Sequence, residues 1–102
     1  MKEVNMDIEW RTIQLFLGDE GVSEVSIDFE DRKKLCCTCD KFATAARCKH
    51  TRFVRNAMEN NDGDFNIDIL GDVSHDDAVD AMSSAKSFRD FIIKYGTVEV
   101  ID

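Results

Sequence analysis

The stretch that decides the fold is Leu35-Cys36-Cys37-Thr38-Cys39-Asp40-Lys41-Phe42-Ala43-Thr44-Ala45-Ala46-Arg47-Cys48-Lys49-His50-Thr51-Arg52-Phe53-Val54-Arg55-Asn56-Ala57-Met58. It opens as a strand. Leu35, Cys37 and Cys39 share one face of an extended segment, and Cys36 and Thr38 share the other. From Cys48 onward the period changes. Phe53, Val54, Ala57 and Met58 recur as one stripe of a helix. A strand that delivers two cysteines and a helix that opens with a cysteine and a histidine form a four-ligand set. Three thiolates and one imidazole are a standard tetrahedral zinc set. The metal ligands read from this pattern are Cys37, Cys39, Cys48 and His50, and the cofactor is Zn2+. Cys36-x-x-Cys39 is also a competent pair, so Cys36 stands as the alternative to Cys37. Cys37 is preferred because Cys36 points to the opposite face if the segment is extended. Amide groups at the helix start are expected to stabilise the Cys48 thiolate.

Upstream, residues 8–17 mix alternation with β-branched and aromatic side chains and read as a strand. Gly18-Asp19-Glu20-Gly21 is a turn, and Val22–Phe29 alternates with Val25, Ile27 and Phe29 on one face, so the two segments form a hairpin. Trp10 and the phenylalanines read as core. Downstream, Asn60-Asn61-Asp62-Gly63 ends the metal-bound helix, and Phe65, Ile67 and Ile69 alternate as a short strand. Ser74 is an N-cap with Asp76 and Asp77 in the first turn. Helical spacing then runs from Ala78 to Tyr95, and Ser83-Ser84 is a place to split it in two. Gly96 suits the position after the helix, and Thr97–Ile101 is a last strand. The expected fold class is α+β: a small antiparallel sheet, a zinc-pinned helix and a C-terminal helical segment. Residues 1–70 are the expected zinc-binding unit, with 71–102 packed on it or appended to it.

The 102 residues carry a net charge of −8, unevenly placed. Between Asp31 and Met58, eight lysines and arginines face only Asp31 and Asp40, so the window is +6 and the rest of the chain is −14. Lys41, Arg47, Lys49, Arg52 and Arg55 surround the metal ligands and are the candidate nucleic-acid contacts. The competing reading is a solvated face whose charges pair with the acidic flanks. The helical segment offers Phe88, Phe91, Ile92 and Tyr95, which serve either as packing against the sheet or as anchors for a protein partner.

The first ten residues contain three acids and no apolar run, so they do not form a secretory signal. The longest apolar runs have three residues, too short to cross a membrane. An intracellular, cytoplasmic protein is expected, with a nucleoid-associated or nuclear site compatible, and its four cysteines reduced. Four protein ligands leave no open coordination position, so no catalysis and no small-molecule substrate is expected. His75 reads as an exposed residue of a helix's first turn.

The Cys37-Thr38-Cys39 and Cys48-Lys49-His50 pairs, separated by eight residues, resemble the SWIM zinc finger, whose pattern is C-x-C followed by C-x-H. The resemblance covers roughly residues 22–60. It implies a module that binds DNA or other proteins within a nucleic-acid process. The expectation is therefore a non-catalytic accessory protein that engages a protein partner of that machinery, with direct DNA or RNA binding through the basic patch as the alternative.

Overall fold

The computed structural model describes residues 9–19 and 21–101. Ile8, the expected first strand residue, Glu20 of the turn and most of the N-terminal stretch read for a signal lie outside them. The chain is α+β. Its elements are β1 (Trp10–Gly18), β2 (Gly21–Asp28), β3 (Leu35–Cys37), α1 (Asp40–Ala45), α2 (Lys49–Glu59), α3 (His75–Ala81), α4 (Ala85–Tyr95) and β4 (Val98–Val100). The sheet runs β3-β2-β1-β4. β3, β2 and β1 are antiparallel neighbours, and β4 lies parallel to β1, with Leu15 opposite Val98 and Leu17 opposite Val100.

The mixed alternation in β1 has a physical cause. The register with β2 shifts between Thr12 and Gln14. The extra residue lets Ile13 and Phe16, three apart, both reach the same core. That core gathers Ile13, Phe16 and Val25 from the hairpin, Leu35, Cys37 and Cys39 beyond it, and Cys48, Val54 and Met58 at α2. The α2 stripe thus packs where its spacing predicts. Its outer member, Phe53, is 38 % exposed and meets the core in an edge-on contact with Phe16, ring centroids 5.4 Å apart. Trp10 and Phe29 are also at the surface rather than in the core. Phe29 follows the last residue of β2, and Arg11 lies over its ring at 4.2 Å.

The opposite face of the sheet meets α4. Glu24 points away from Val25, and Arg89 of α4 grips its carboxylate with Nε at 2.8 Å and Nη2 at 2.6 Å. Residues 71–101 are therefore tied into the sheet at two places, through α4 and through β4. The split at Ser83-Ser84 is as expected: Ser74 caps α3 through the Asp77 amide, and Ser84 caps α4 through the Ser87 amide.

Three further expectations change. Residues 65–69 do not form a strand; they make one bridge, Ile69 to Gly96, and the Leu70 amide donates to the Tyr95 carbonyl at 2.6 Å. Their alternation serves instead to send Phe65 and Ile67 against the core. β3 ends at Cys37, and a short helix, α1, occupies residues the pattern left unassigned. Gly96 does not adopt the left-handed conformation of a C′ glycine: its φ is −72°. It is needed because the chain passes so close to α4 that a Cβ would sit 2.7 Å from the Ile92 carbonyl oxygen.

Candidate metal centre

Three segments converge on one point. β3 ends by placing Cys37 on the core face, and Val25 is its partner in β2. Cys39 is the N-cap of α1, still extended at φ −76° and ψ 159°, so it keeps the two-residue alternation with Cys37. α1 ends at Ala46, whose φ of 58° turns the chain back. This returns Arg47 and Cys48 to the start of α2. Cys48 caps that helix, and His50 lies in its first turn.

The ligand atoms of Cys37, Cys39, Cys48 and His50 all lie within 4.8 Å of one another, and all four residues are buried. The group can hold a metal ion. The fit can be tested on distance. A tetrahedral ion with bonds of about 2.3 Å to sulfur and about 2.05 Å to nitrogen spaces its ligand atoms by roughly 3.5–3.8 Å. His50 Nδ1 stands 3.5 Å from Cys37 Sγ and 3.7 Å from Cys48 Sγ. The nitrogen facing the sulfurs is therefore Nδ1, and two edges of the polyhedron already have coordination length. Cys36 is half-buried on the other face of β3 and is not part of the cluster.

The thiols differ in acidity for stated reasons. Burial pushes the Cys37 thiol up to about 12. Burial also acts to raise Cys48, but the Thr51 backbone N–H and hydroxyl and the neighbouring Cys39 and Cys37 thiols outweigh it and bring its value down. The expected stabilisation at the helix start is thus provided by one amide, Thr51 N–H, 3.5 Å from Cys48 Sγ. Beyond the ligands, the fully buried Phe16 ring lies 5.0 Å from the imidazole of His50. An apolar shell of this kind keeps water from the inner side of the centre.

On its outer side the centre forms the floor of a groove of about 620 Å³. Cys39, Cys48 and His50 contribute to it, and Lys41, Arg47, Lys49 and Arg52 line it. Four of the five predicted basic residues are therefore brought together. Arg55 is not among them: it faces a second groove of about 610 Å³ with Arg32 and Lys33. None of the five forms an ion pair with an acidic side chain among the described residues. Lys41 reaches the groove from α1, the helix the sequence pattern missed. A run of residues without Gly or Pro from Asp40 to Ala46 was the available signal.

The four candidate partner anchors separate. Ile92 is 1 % exposed, and Phe88 packs against the hydrophobic core, so these two hold α4 to the sheet. Phe91 and Tyr95 are half-buried, their rings 5.1 Å apart, and they line a cleft of about 260 Å³ between α3 and α4 with Asp77, Asp80 and Asp90. His75 is exposed. Among the described residues no helix is long and apolar enough to cross a membrane. Comparison with protein-family models, curated proteins and solved structures finds no match to this chain.

Proposed function

We propose that this protein is a zinc-stabilised, non-catalytic accessory module of a nucleic-acid process, and that it contacts the nucleic acid itself through the groove over the metal centre. The observation that carries this reading is the grouping of Lys41, Arg47, Lys49 and Arg52 around one concavity, with no described carboxylate neutralising them. Zinc suits the donor set, because three thiolates and an imidazole are borderline-to-soft ligands at tetrahedral spacing. All four ligands come from the chain and are buried, which fits a structural ion better than a catalytic one. The similarity of the Cys37-x-Cys39 and Cys48-x-His50 pairs to the SWIM pattern points to the same class of process.

The test is salt dependence. If the groove contacts phosphates, affinity for an oligonucleotide falls steeply with salt, and each of Lys41→Ala, Arg47→Ala, Lys49→Ala and Arg52→Ala reduces the log–log slope by about one. The net charge of −8 opposes this at long range, but a Debye length of about 10 Å at 0.1 M salt leaves a local patch effective. No binding to any polyanion at physiological salt removes the reading.

A second reading, an adaptor that engages a protein partner of the same machinery, draws on the acidic α3–α4 cleft with Phe91 and Tyr95 half-exposed in it. In that case a pull-down retains its partner after nuclease treatment, Asp80→Asn and Tyr95→Leu lose it, and Arg52→Ala does not.

A further inference from the structure

We infer that the nucleic acid taken by the basic groove is a single strand, and that Phe53 is the surface on which one of its bases stacks. The inference rests on the nucleic-acid reading above and adds the strand type and a residue that the charge pattern does not reveal. Phe53 belongs by spacing to the buried stripe of α2, yet it is 38 % exposed. Its neighbours on the helix explain what the exposed part faces. Lys49, which lines the groove, lies one turn before Phe53 on the same side of α2, and Asn56 follows at i+3, so the ring adjoins one of the groove's cations along the helix. The ring also packs against the fully buried Phe16 at an interplanar angle of 81°, while more than a third of the residue stays exposed.

A basic groove with a partly exposed aromatic ring one helical turn from one of its cations is a combination that suits single strands, with cations tracking phosphates and the ring accepting an unstacked base. A duplex offers no unstacked base. It also carries one charge per about 1.7 Å of axis, so the acidic remainder of this chain repels it more strongly than a single strand. A flexible strand can follow α2, about 16 Å long at 1.5 Å per residue, from the metal groove without bringing a rigid cylinder against the acidic helix α3.

The experiment uses the metal-loaded full chain and fluorescence anisotropy with four probes: a single-stranded thymidine 12-mer, an abasic 12-mer of the same phosphate count, a 12-base-pair duplex and inorganic polyphosphate. Expected are at least tenfold tighter binding of the thymidine strand than of the duplex or the abasic strand, and a loss of about tenfold for Phe53→Leu on the thymidine strand only. Phe53→Tyr, which keeps the ring, retains the affinity. Metal content and thermal midpoint of each variant are measured alongside, and Leu keeps an apolar contact with Phe16. Duplex binding as tight as single-strand binding overturns the inference. So does a Phe53→Leu loss that is equal on thymidine, abasic and polyphosphate probes, since that is a fold defect. If all probes bind with salt-dependent affinity but without preference, the strand assignment falls and the groove stands; if none binds, the nucleic-acid reading itself falls.

Discussion

Cys48 and Thr51 cap one another. The Thr51 amide donates to Cys48 Sγ at 3.5 Å, and the Cys48 amide donates to the Thr51 hydroxyl at 3.2 Å. One cysteine is thus both the helix cap and a candidate metal ligand, so helix start and metal centre are a single cooperative device. Thr51→Val keeps the buried volume but removes the hydroxyl, leaving the Cys48 amide without its acceptor. We expect a stability loss of about 1–2 kcal/mol. Metal affinity is expected to weaken by roughly tenfold, as for other groups that orient a ligand. Competition with a chromophoric chelator measures the second effect and chemical denaturation the first. Unchanged metal affinity in Thr51→Val would show that the cap does not orient the ligand.

The ligand assignment predicts one zinc per chain by native mass spectrometry. Cys37→Ser, Cys39→Ser, Cys48→Ser and His50→Ala each lose most of it, and Cys36→Ser retains it. Affinity rises with pH, because the Cys37 thiol, pushed up to about 12 by burial, must give up its proton to the ion. Chelation is expected to collapse the amide dispersion of residues 35–58, whose segments meet at the centre. The α4–β1 contacts lie on the other face of the sheet, so part of that region survives. Retention of metal by Cys37→Ser with loss by Cys36→Ser would reverse the choice.

How far the residues disclose this molecule depends on the range of the interactions involved. The hairpin, the ligand set and α2 are local patterns of period two or 3.6, and they are legible in the chain. So is the α3–α4 split, because Ser74 and Ser84 are capping residues. What escapes is set by tertiary geometry. Residues 65–69 alternate like a strand, but β1 is already flanked by β2 and β4, so the segment finds no ladder beyond a single bridge at Ile69. Phe53 fits a buried stripe, but it lies at the stripe's outer side and stays 38 % exposed. The separation of Arg55 from the other cations follows from helix rotation, which a charge count along the chain does not register.

Gly96 gives a prediction about close approach. Its backbone conformation is open to any residue, yet a Cβ there would meet the Ile92 carbonyl oxygen at 2.7 Å and its Cγ2 at 3.2 Å. The carbonyl accepts the Gly96 amide at 2.8 Å and cannot retreat without breaking that bond. Gly96→Ala therefore displaces the chain between α4 and β4, at an expected cost of about 1–3 kcal/mol. Gly63→Ala, with open space around it but φ at +90°, provides a contrast: its cost is conformational and leaves β4 in place. Amide exchange at Val98–Val100 separates the two, rising in Gly96→Ala only. Slow exchange there in Gly96→Ala would show that β4 tolerates the displacement.

The last prediction concerns the clamp between the sheet and α4. Arg89 holds Glu24 with two hydrogen bonds, and the Thr12 hydroxyl donates a third at 3.1 Å. The Arg89 contact, opposed by partial burial and helped by Thr12, keeps the Glu24 carboxyl below its ordinary value of 4.5. A depressed carboxyl stabilises the fold above its unfolded value, and that contribution is lost as pH falls through the lower folded-state value. The coupling between Glu24→Gln and Arg89→Gln in a double-mutant cycle is therefore present at pH 7, starts to fall near the unfolded value of 4.5, and is lost as pH drops through the lower folded-state value. Arg89 is open to solvent, so the coupling also shrinks with salt. The measurement is thermal unfolding of the four chains at pH 7 and pH 3. No coupling at pH 7 would mean that α4 is held by the packing of Ile92 and Phe88 alone, and a coupling undiminished at pH 3 would mean that the clamp does not depend on the Glu24 charge.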